Sequence, residues 1–271
     1  MANQRIFITG GASGLGKAIA QRFARAGWKV CIADLNEARG AEVLSSLGPD
    51  AHFLRCDVTR DEDLIAAAET LQQRWGGVDV VVNNAGVAQA GAIEDVSIDD
   101  WRWIIDINLL GVVRGCKVFT PLFKRQGHGH FVNVSSMAGL LDAPMMSSYN
   151  ATKAAVVSLS ETLHNELADA NIGVSVVCPA FFKTNLTESL RTPDPRLKVT
   201  MAKLLDRSPI TADDVANDVF RAVERRQFYV LSHAQGRRAW LMKRFLPREI
   251  YARLLRKSTA RMRPRPDPTQ T

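Results

Sequence analysis

The chain reads as α/β: a doubly wound parallel sheet of about seven strands in a single domain, followed by a basic C-terminal helical extension. Three observations predict this. Short apolar runs alternate with amphipathic stretches from residue 5 to about residue 231. The runs are apolar nearly throughout, as strands covered on both faces should be. Strands separated again and again by helices imply parallel pairing through right-handed crossovers.

RIFIT (5–9) is the first strand and runs into a glycine-rich turn. Residues 14–27 have helical spacing, with Leu15, Ile19, Phe23 and Ala26 on one face. WKVCIAD (28–34) is a second strand, 36–47 a helix and AHFLRCD (51–57) a third strand. Residues 61–75 open with acids, as helix N-termini favour. VDVVVNNAG (78–86) is a fourth strand ending in a turn, and a long helix or a pair covers 97–124. HFVNVSS (130–136) is a fifth strand, 147–170 a helix and IGVSVVCPA (172–180) a sixth strand. Residues 211–226 form a helix capped by Thr211, and QFYVL (227–231) is the seventh strand. One irregular interruption, 181–210, is apolar but broken by Pro193, Pro195 and Pro209; a long loop inside a compact domain is usually functional. The expected units are 1–232, carrying cofactor and catalysis, and the extension 233–271.

Charge locates the one unusual region. The net charge is +7, yet residues 237–265 alone hold eleven Lys or Arg and one acid, Glu249, so the remainder is slightly acidic. No run of about 18 apolar residues is present, and MANQRIFITG lacks the pattern of a secretory signal. The four cysteines, Cys31, Cys56, Cys116 and Cys178, form no CxxC pair and read as free, mostly buried thiols. No metal site is expected. A cytoplasmic chain is the expectation.

TGGASGLG (9–16) follows the first strand, with Gly10, Gly14 and Gly16 spaced G-x3-G-x-G. Glycine lets backbone approach a phosphate, and the following helix offers free N–H groups and a positive dipole end. A tight strand–helix turn without a ligand would look similar. Asp34 ends the second strand, where an acid can accept from ribose hydroxyls and would repel a 2′-phosphate. No Arg or Lys follows it immediately, and Ser13 rather than a basic residue precedes Gly14. NAD is therefore favoured over NADP. Asp34 could also serve as a helix cap.

In SSYNATK (147–153), Tyr149 and Lys153 stand four apart and share a helix face. A phenol ordinarily titrates near pH 10, and a nearby ammonium would lower that value and suit proton transfer. A solvated surface pair is the plain alternative. Ser136 lies thirteen residues earlier, at the carboxyl end of the fifth strand, where open α/β sheets bind ligands. Ser135 should point the other way.

Taken together, TGGASGLG, NNAG (83–86), Ser136 and Y-N-A-T-K resemble the short-chain dehydrogenase/reductase family in order and spacing, across about residues 3–231. The resemblance implies a Rossmann-type sheet and an oxidoreductase. It implies Tyr149 as the catalytic acid/base, Lys153 as the residue that lowers its pKa and binds the nicotinamide ribose, and Ser136 as the hydroxyl that holds the substrate oxygen. Asn108 matches the asparagine that completes the tetrad and supports a proton-relay water. Without the resemblance it would read as a surface residue or a local kink. Gly10, Ser13, Gly14, Leu15 and Gly16 would form the phosphate turn. Asp57 resembles the acid that contacts adenine, with Val58 beside it, and Asn84, Ala85 and Gly86 resemble the turn by the adenine ribose. Pro179 and Thr184, in PAFFKT, match a P-G-x-x-x-T segment that holds the carboxamide; Ala180 departs from its usual glycine. A homo-oligomer, dimer or tetramer, is implied as well.

Met145 and Met146, with Phe181, Phe182, Leu186, Leu190, Leu197, Met201, Leu204 and Leu205, suggest an apolar pocket for a hydrophobic alcohol or ketone, though ordinary core packing could use half of them. The competing readings are an NADPH-dependent carbonyl reductase and a non-catalytic nucleotide-binding scaffold. In the tail, Trp240, Leu241, Phe245 and Leu246 interleave with Arg and Lys, and Pro247 should separate two helices. Residues 237–257 could lie on an anionic membrane surface or pack near the pocket. Nucleic acid is not the expected partner, since no aromatic platform or recognised motif accompanies the charge. RMRPRPDPTQT should be disordered.

Overall fold

The first strand, β1 (Arg5–Thr9), shows how the layers arise. Ile6 and Ile8 face one side of the sheet and Phe7 the other, and none of the three is exposed. A computed structural model describes residues 4–183 and 185–260, the side chain of Asn185 apart; the proline-rich end, 261–271, lies outside them.

The elements follow in order: α1 (Gly14–Arg25), β2 (Lys29–Asp34), α2 (Glu37–Leu44), β3 (His52–Arg55), α3 (Asp61–Trp75), β4 (Val80–Asn83), α4 (Ile98–Ile105), α5 (Gly111–Gln126), β5 (Gly129–Val134), α6 (Ala138–Leu141), α7 (Ser147–Glu166), β6 (Ile172–Val177), α8 (Pro195–Asp206), α9 (Ala212–Arg225), β7 (Tyr229–Val230), α10 (Ala234–Phe245) and α11 (Arg248–Ser258). The seven strands run in the order β3-β2-β1-β4-β5-β6-β7, every pairing parallel. Ile19 and Phe23 of α1 and Val215 and Val219 of α9 cover one face. Leu64 of α3, Phe119 of α5 and Val156 of α7 cover the other. Strand order reverses between β1 and β4, which opens a crevice at the carboxyl ends there.

The sequence reading holds for all seven strands, most of them shorter than expected and β5 starting one residue earlier. Four local features differ. Helix α1 stops at Arg25, so Ala26 is its exposed C-cap rather than part of the buried face. The helix over 97–124 is one continuous run from Ile98 to Gln126, with a π-turn at Asp106–Leu110 in its middle. The interruption 181–210 is partly regular. Pro195 starts α8 at the position where a missing N–H costs nothing, and the Asp194 side chain caps it by accepting from the Arg196 amide. Helix α6, unpredicted, carries the chain from Ser136 toward Tyr149. Beyond it Asp142, the C-cap of α6, and Met145 adopt left-handed φ values of 56° and 64°, which non-glycine residues seldom take.

The extension forms the two helices expected, with Pro247 capping α11. It packs on its own chain. Lys243 Nζ donates to Leu140 O at 2.9 Å and pairs with Asp142. Tyr251 Oη donates to Leu141 O at 3.1 Å, and the Tyr229 and Trp240 rings meet at a tilt with centroids 5.0 Å apart. Among the described residues no helix is long and apolar enough to cross a membrane.

Candidate active site

A cavity of about 870 Å³ runs along the carboxyl edge of the sheet from the glycine turn to Tyr149. At the first end, Gly10 and Gly14 have φ of 63° and 50°, which a side chain would strain. A Cβ on Gly16 would stand 2.2 Å from Gly10 O. Gly16 does not line the cavity; it lets α1 pack tightly under the turn. Ser13 caps α1 without a side-chain hydrogen bond, and the first turn carries no acid. By contrast α3 and α9 begin with acids. An uncapped helix start facing a cavity suits a phosphate.

Asp34 reaches back to this turn. Its carboxylate accepts from Ala12 N at 3.0 Å and from Asn36 N at 3.0 Å. It is not the cap of α2; Asn36 does that, accepting from Arg39 N. Asn84 ties the fourth strand to the turn. Its Nδ2 donates to Thr9 O and Gly10 O, while the Asn84 and Ala85 amides donate to Thr9 Oγ1. Asp57 accepts from the amide and hydroxyl of Thr59. Leu15, Asp57, Val58, Asn84, Ala85 and Gly86 all border the cavity with Gly10, Ser13, Gly14 and Asp34. This geometry fits a dinucleotide: backbone amides at a helix start, an acid one strand away, and a floor of small residues.

At the other end Ser136, Tyr149, Lys153 and Pro179 border the same cavity. Ser136 Oγ donates to Pro179 O at 3.3 Å and accepts from Ala138 N at 3.1 Å. The Ser135 hydroxyl turns instead to Lys153 O, donating at 2.7 Å, although the residue also borders the cavity. Lys153 is buried, with Nζ donating to Val134 O at 3.0 Å. Burial pulls its pKa down to about 8, Cys178 acting weakly the other way. Burial pushes the Tyr149 phenol up to about 12, against a hydrogen bond with the Ser136 side chain. The sequence suggested a phenol lowered by its lysine; in this structure desolvation outweighs every other influence on it.

Asn108 is fully buried in the π-turn and does not border the cavity, though its neighbour Ile107 does. Its side chain is spent on one residue, accepting from Val87 N at 2.8 Å and donating to Val87 O at 2.9 Å. It thereby shapes the loop after β4, where a Cβ on Gly86 would sit 3.1 Å from Asn108 Oδ1 and 3.5 Å from Lys153 Nζ. Thr184 lies outside the described residues.

The apolar wall divides as the sequence allowed. Met146, Phe181, Phe182, Leu186, Met201, Leu204 and Leu205 border the cavity, whereas Leu190 and Leu197 are core and Met145 packs behind. Several polar residues on the cavity wall escaped the sequence reading, Arg39 and His233 among them. Arg39, one turn into α2, stands by Asp34 and pairs with Glu188 at 2.8 Å. His233, buried at the start of α10, joins the wall together with Gln235, Gly236 and Ala239. Burial lowers the His233 pKa, opposed by the Phe181 carbonyl and Asp218. Neither residue belongs to a motif, so only chain path could have found them.

Residues 4–195 match the short chain dehydrogenase family. The 2,5-dichloro-2,5-cyclohexadiene-1,4-diol dehydrogenase of Sphingobium indicum is 36% identical over 225 residues, 80% of this chain and 87% of that protein. A 3-alpha-(or 20-beta)-hydroxysteroid dehydrogenase of Mycobacterium bovis is 34% identical over 181 residues, 67% of this chain and 70% of that protein. A short-chain dehydrogenase/reductase from Burkholderia phymatum, solved in complex with NAD, superposes with a TM-score of 0.85 at 31% identity and covers 98% of both chains.

Proposed function

The chain belongs to the short-chain dehydrogenase/reductase family, a family of oxidoreductases, and from that premise we propose that it transfers a hydride between NAD(H) and a hydrophobic alcohol or ketone, with Tyr149 as general acid/base. One observation carries this reading: Ser136, Tyr149 and Lys153 meet at one end of a cavity whose other end is the glycine turn and Asp34. The glycine turn and the start of α1 would hold the pyrophosphate, Asp34 the adenosine ribose, Asp57 and Val58 the adenine, and Pro179 and Lys153 the nicotinamide end. The nicotinamide ring supplies hydride chemistry. The protein's own groups handle the proton. Ser136 Oγ orients the substrate oxygen. The Tyr149 phenol, protonated at neutral pH, donates its proton to that oxygen in the reducing direction and becomes a phenolate; in the oxidising direction the phenolate takes the proton from the alcohol hydroxyl. Lys153, an ammonium below about pH 8, stabilises the phenolate left behind. Asn108 acts through the Val87 loop.

The substrate class follows from the wall of Met, Phe and Leu side chains around Tyr149. The diol and hydroxysteroid named for the two relatives are cyclic alcohols, which supports the same class. One observation favours a second reading, NADPH-dependent carbonyl reduction: Arg39 stands at the Asp34 end and could meet a 2′-phosphate. Its pairing with Glu188 and the position of Asp34 favour NAD. A fluorescence titration with NADH and, separately, NADPH tests this. Tighter NADH binding is expected. Preference for NADPH would shift the reading to the reductase, and binding of neither would favour the non-catalytic reading.

We also read the outer face of α10 and α11 as a contact for an anionic lipid surface. Leu241, Met242, Phe245, Ile250 and Leu254 are exposed there among Arg and Lys, with Glu249 the one acid of the two helices. Co-sedimentation with phosphatidylserine vesicles should drop several-fold in Phe245→Asp and in high salt, with turnover unchanged. Undiminished binding in the variant would end this reading. A homo-oligomer, proposed from the family resemblance, is checked by light scattering.

A further inference from the structure

The backbone leaving β6 loses its sheet partners after Cys178, whose amide donates to Val230 O at 2.9 Å. The next residues border the cavity beside Ser136 and Tyr149. They are held from two sides. Pro179 O accepts from Met137 N at 2.9 Å and from Ser136 Oγ at 3.3 Å. On the other side stands His233. Its Nδ1 is 3.1 Å from Ala180 N, and its Nε2 is 3.1 Å from Phe181 O. A neutral ring with its proton on Nε2 satisfies both contacts, accepting from the amide and donating to the carbonyl. The side chain is mostly buried, which strengthens both contacts.

The helix that begins at His233 also braces the opposite side of the site. A Cβ on Gly236 would stand 3.1 Å from Met137 Cγ, and Lys243 holds Leu140 O. So α10 fastens both segments that flank Ser136: Met137–Leu140 through Gly236 and Lys243, and Ala180–Phe181 through His233.

We propose that His233 is a positioning residue for hydride transfer, fixing the Ala180–Phe181 backbone that borders the nicotinamide end of the cavity and so making the C-terminal extension part of the active site. The proposal rests on the hydride-transfer reading above. It assigns the extension an inner role that is independent of its outer face.

The test compares full-length wild type, His233→Leu and His233→Asn. Leucine removes both hydrogen bonds; asparagine keeps an acceptor near the place of Nδ1. Three quantities are measured: affinity for NADH, affinity for ADP-ribose (the same nucleotide without its nicotinamide) and kcat with a cyclic secondary alcohol. His233→Leu should bind NADH about ten-fold more weakly and lose kcat by about as much, the scale of two lost hydrogen bonds. It should bind ADP-ribose as wild type does, and His233→Asn should recover most of both losses. Equal NADH affinity and kcat in wild type and His233→Leu would overturn the proposal. So would a parallel loss of ADP-ribose binding, which means general damage, or an asparagine variant no better than the leucine one. A wild type that binds no NADH would instead sink the hydride-transfer reading itself.

Discussion

The two ends of the cavity are built differently. At the glycine end, position is enforced by backbone. Gly10 and Gly14 take left-handed φ values, Gly16 sits where no Cβ fits, and Asp34 and Asn84 are tied to main-chain groups of the turn. At the Tyr149 end, position is enforced by packing among side chains brought from distant segments: Met146, Phe181, Met201, Leu204 and the inner face of α10. A backbone-defined site tolerates few residue types and leaves a spacing that can be read. A packed apolar wall accepts many sequences of similar volume and leaves only composition.

Substitutions can break or sharpen that contrast. The largest effect belongs where the ends meet. Tyr149→Phe should lower turnover by roughly 10²–10⁴-fold, the usual worth of a placed acid/base, while NADH titrates as in wild type. Turnover near wild type would remove Tyr149 from the chemistry. Next, Gly16→Ala drives a Cβ against Gly10 O. A cost of roughly 1–3 kcal/mol in stability is expected from such overpacking, with loss of cofactor affinity for every substrate alike. A variant that binds NADH normally would show the turn to be more pliant than its geometry suggests.

The pH profile tests the charge at the junction. Lys153 loses its ammonium as pH rises through about 8, whereas Tyr149 keeps its proton up to about 12. In the reducing direction kcat/KM should therefore be level near neutrality and fall above about pH 8, approaching ten-fold per unit. A profile flat to pH 10 would mean that the lysine charge does not assist the phenol. The smallest effect should come from the packed wall. Met201→Ala ought to change the ranking of alcohols by a few-fold in KM, since buried methylenes are worth about 0.8 kcal/mol each, and leave NADH affinity alone. A change in NADH affinity instead would show the two ends to be coupled.

The same contrast explains what could be read in advance. The strands at 5–9, 28–34, 78–86, 130–136 and 172–180 were legible because parallel strands buried on both faces are apolar throughout. Tyr149 and Lys153 were legible because one helix places them and fixes their spacing. Strand alternation separated Ser135 from Ser136, and their hydroxyls do take different partners. Asn108 was named only by resemblance, and its actual work, clamping Val87 from a π-turn, could not be seen without coordinates. The α8 helix was hidden behind prolines that read as breakers, although Pro195 is where a helix accepts one. Arg39 and His233 gave no signal, for a single polar residue away from any motif is invisible until its neighbours are known.

What the sequence determined by itself, then, is the parallel sheet, the glycine turn and the Tyr–Lys face, because each depends on spacing within one short segment and on rules of local backbone geometry. Only the tertiary structure decided how Tyr149 titrates, since burial is a property of the assembled core. It also decided that a histidine 53 residues away holds Ala180, and that the basic tail turns one face to the cavity and another to solvent. These are contacts between segments far apart in the chain, and no local pattern encodes which of them meet.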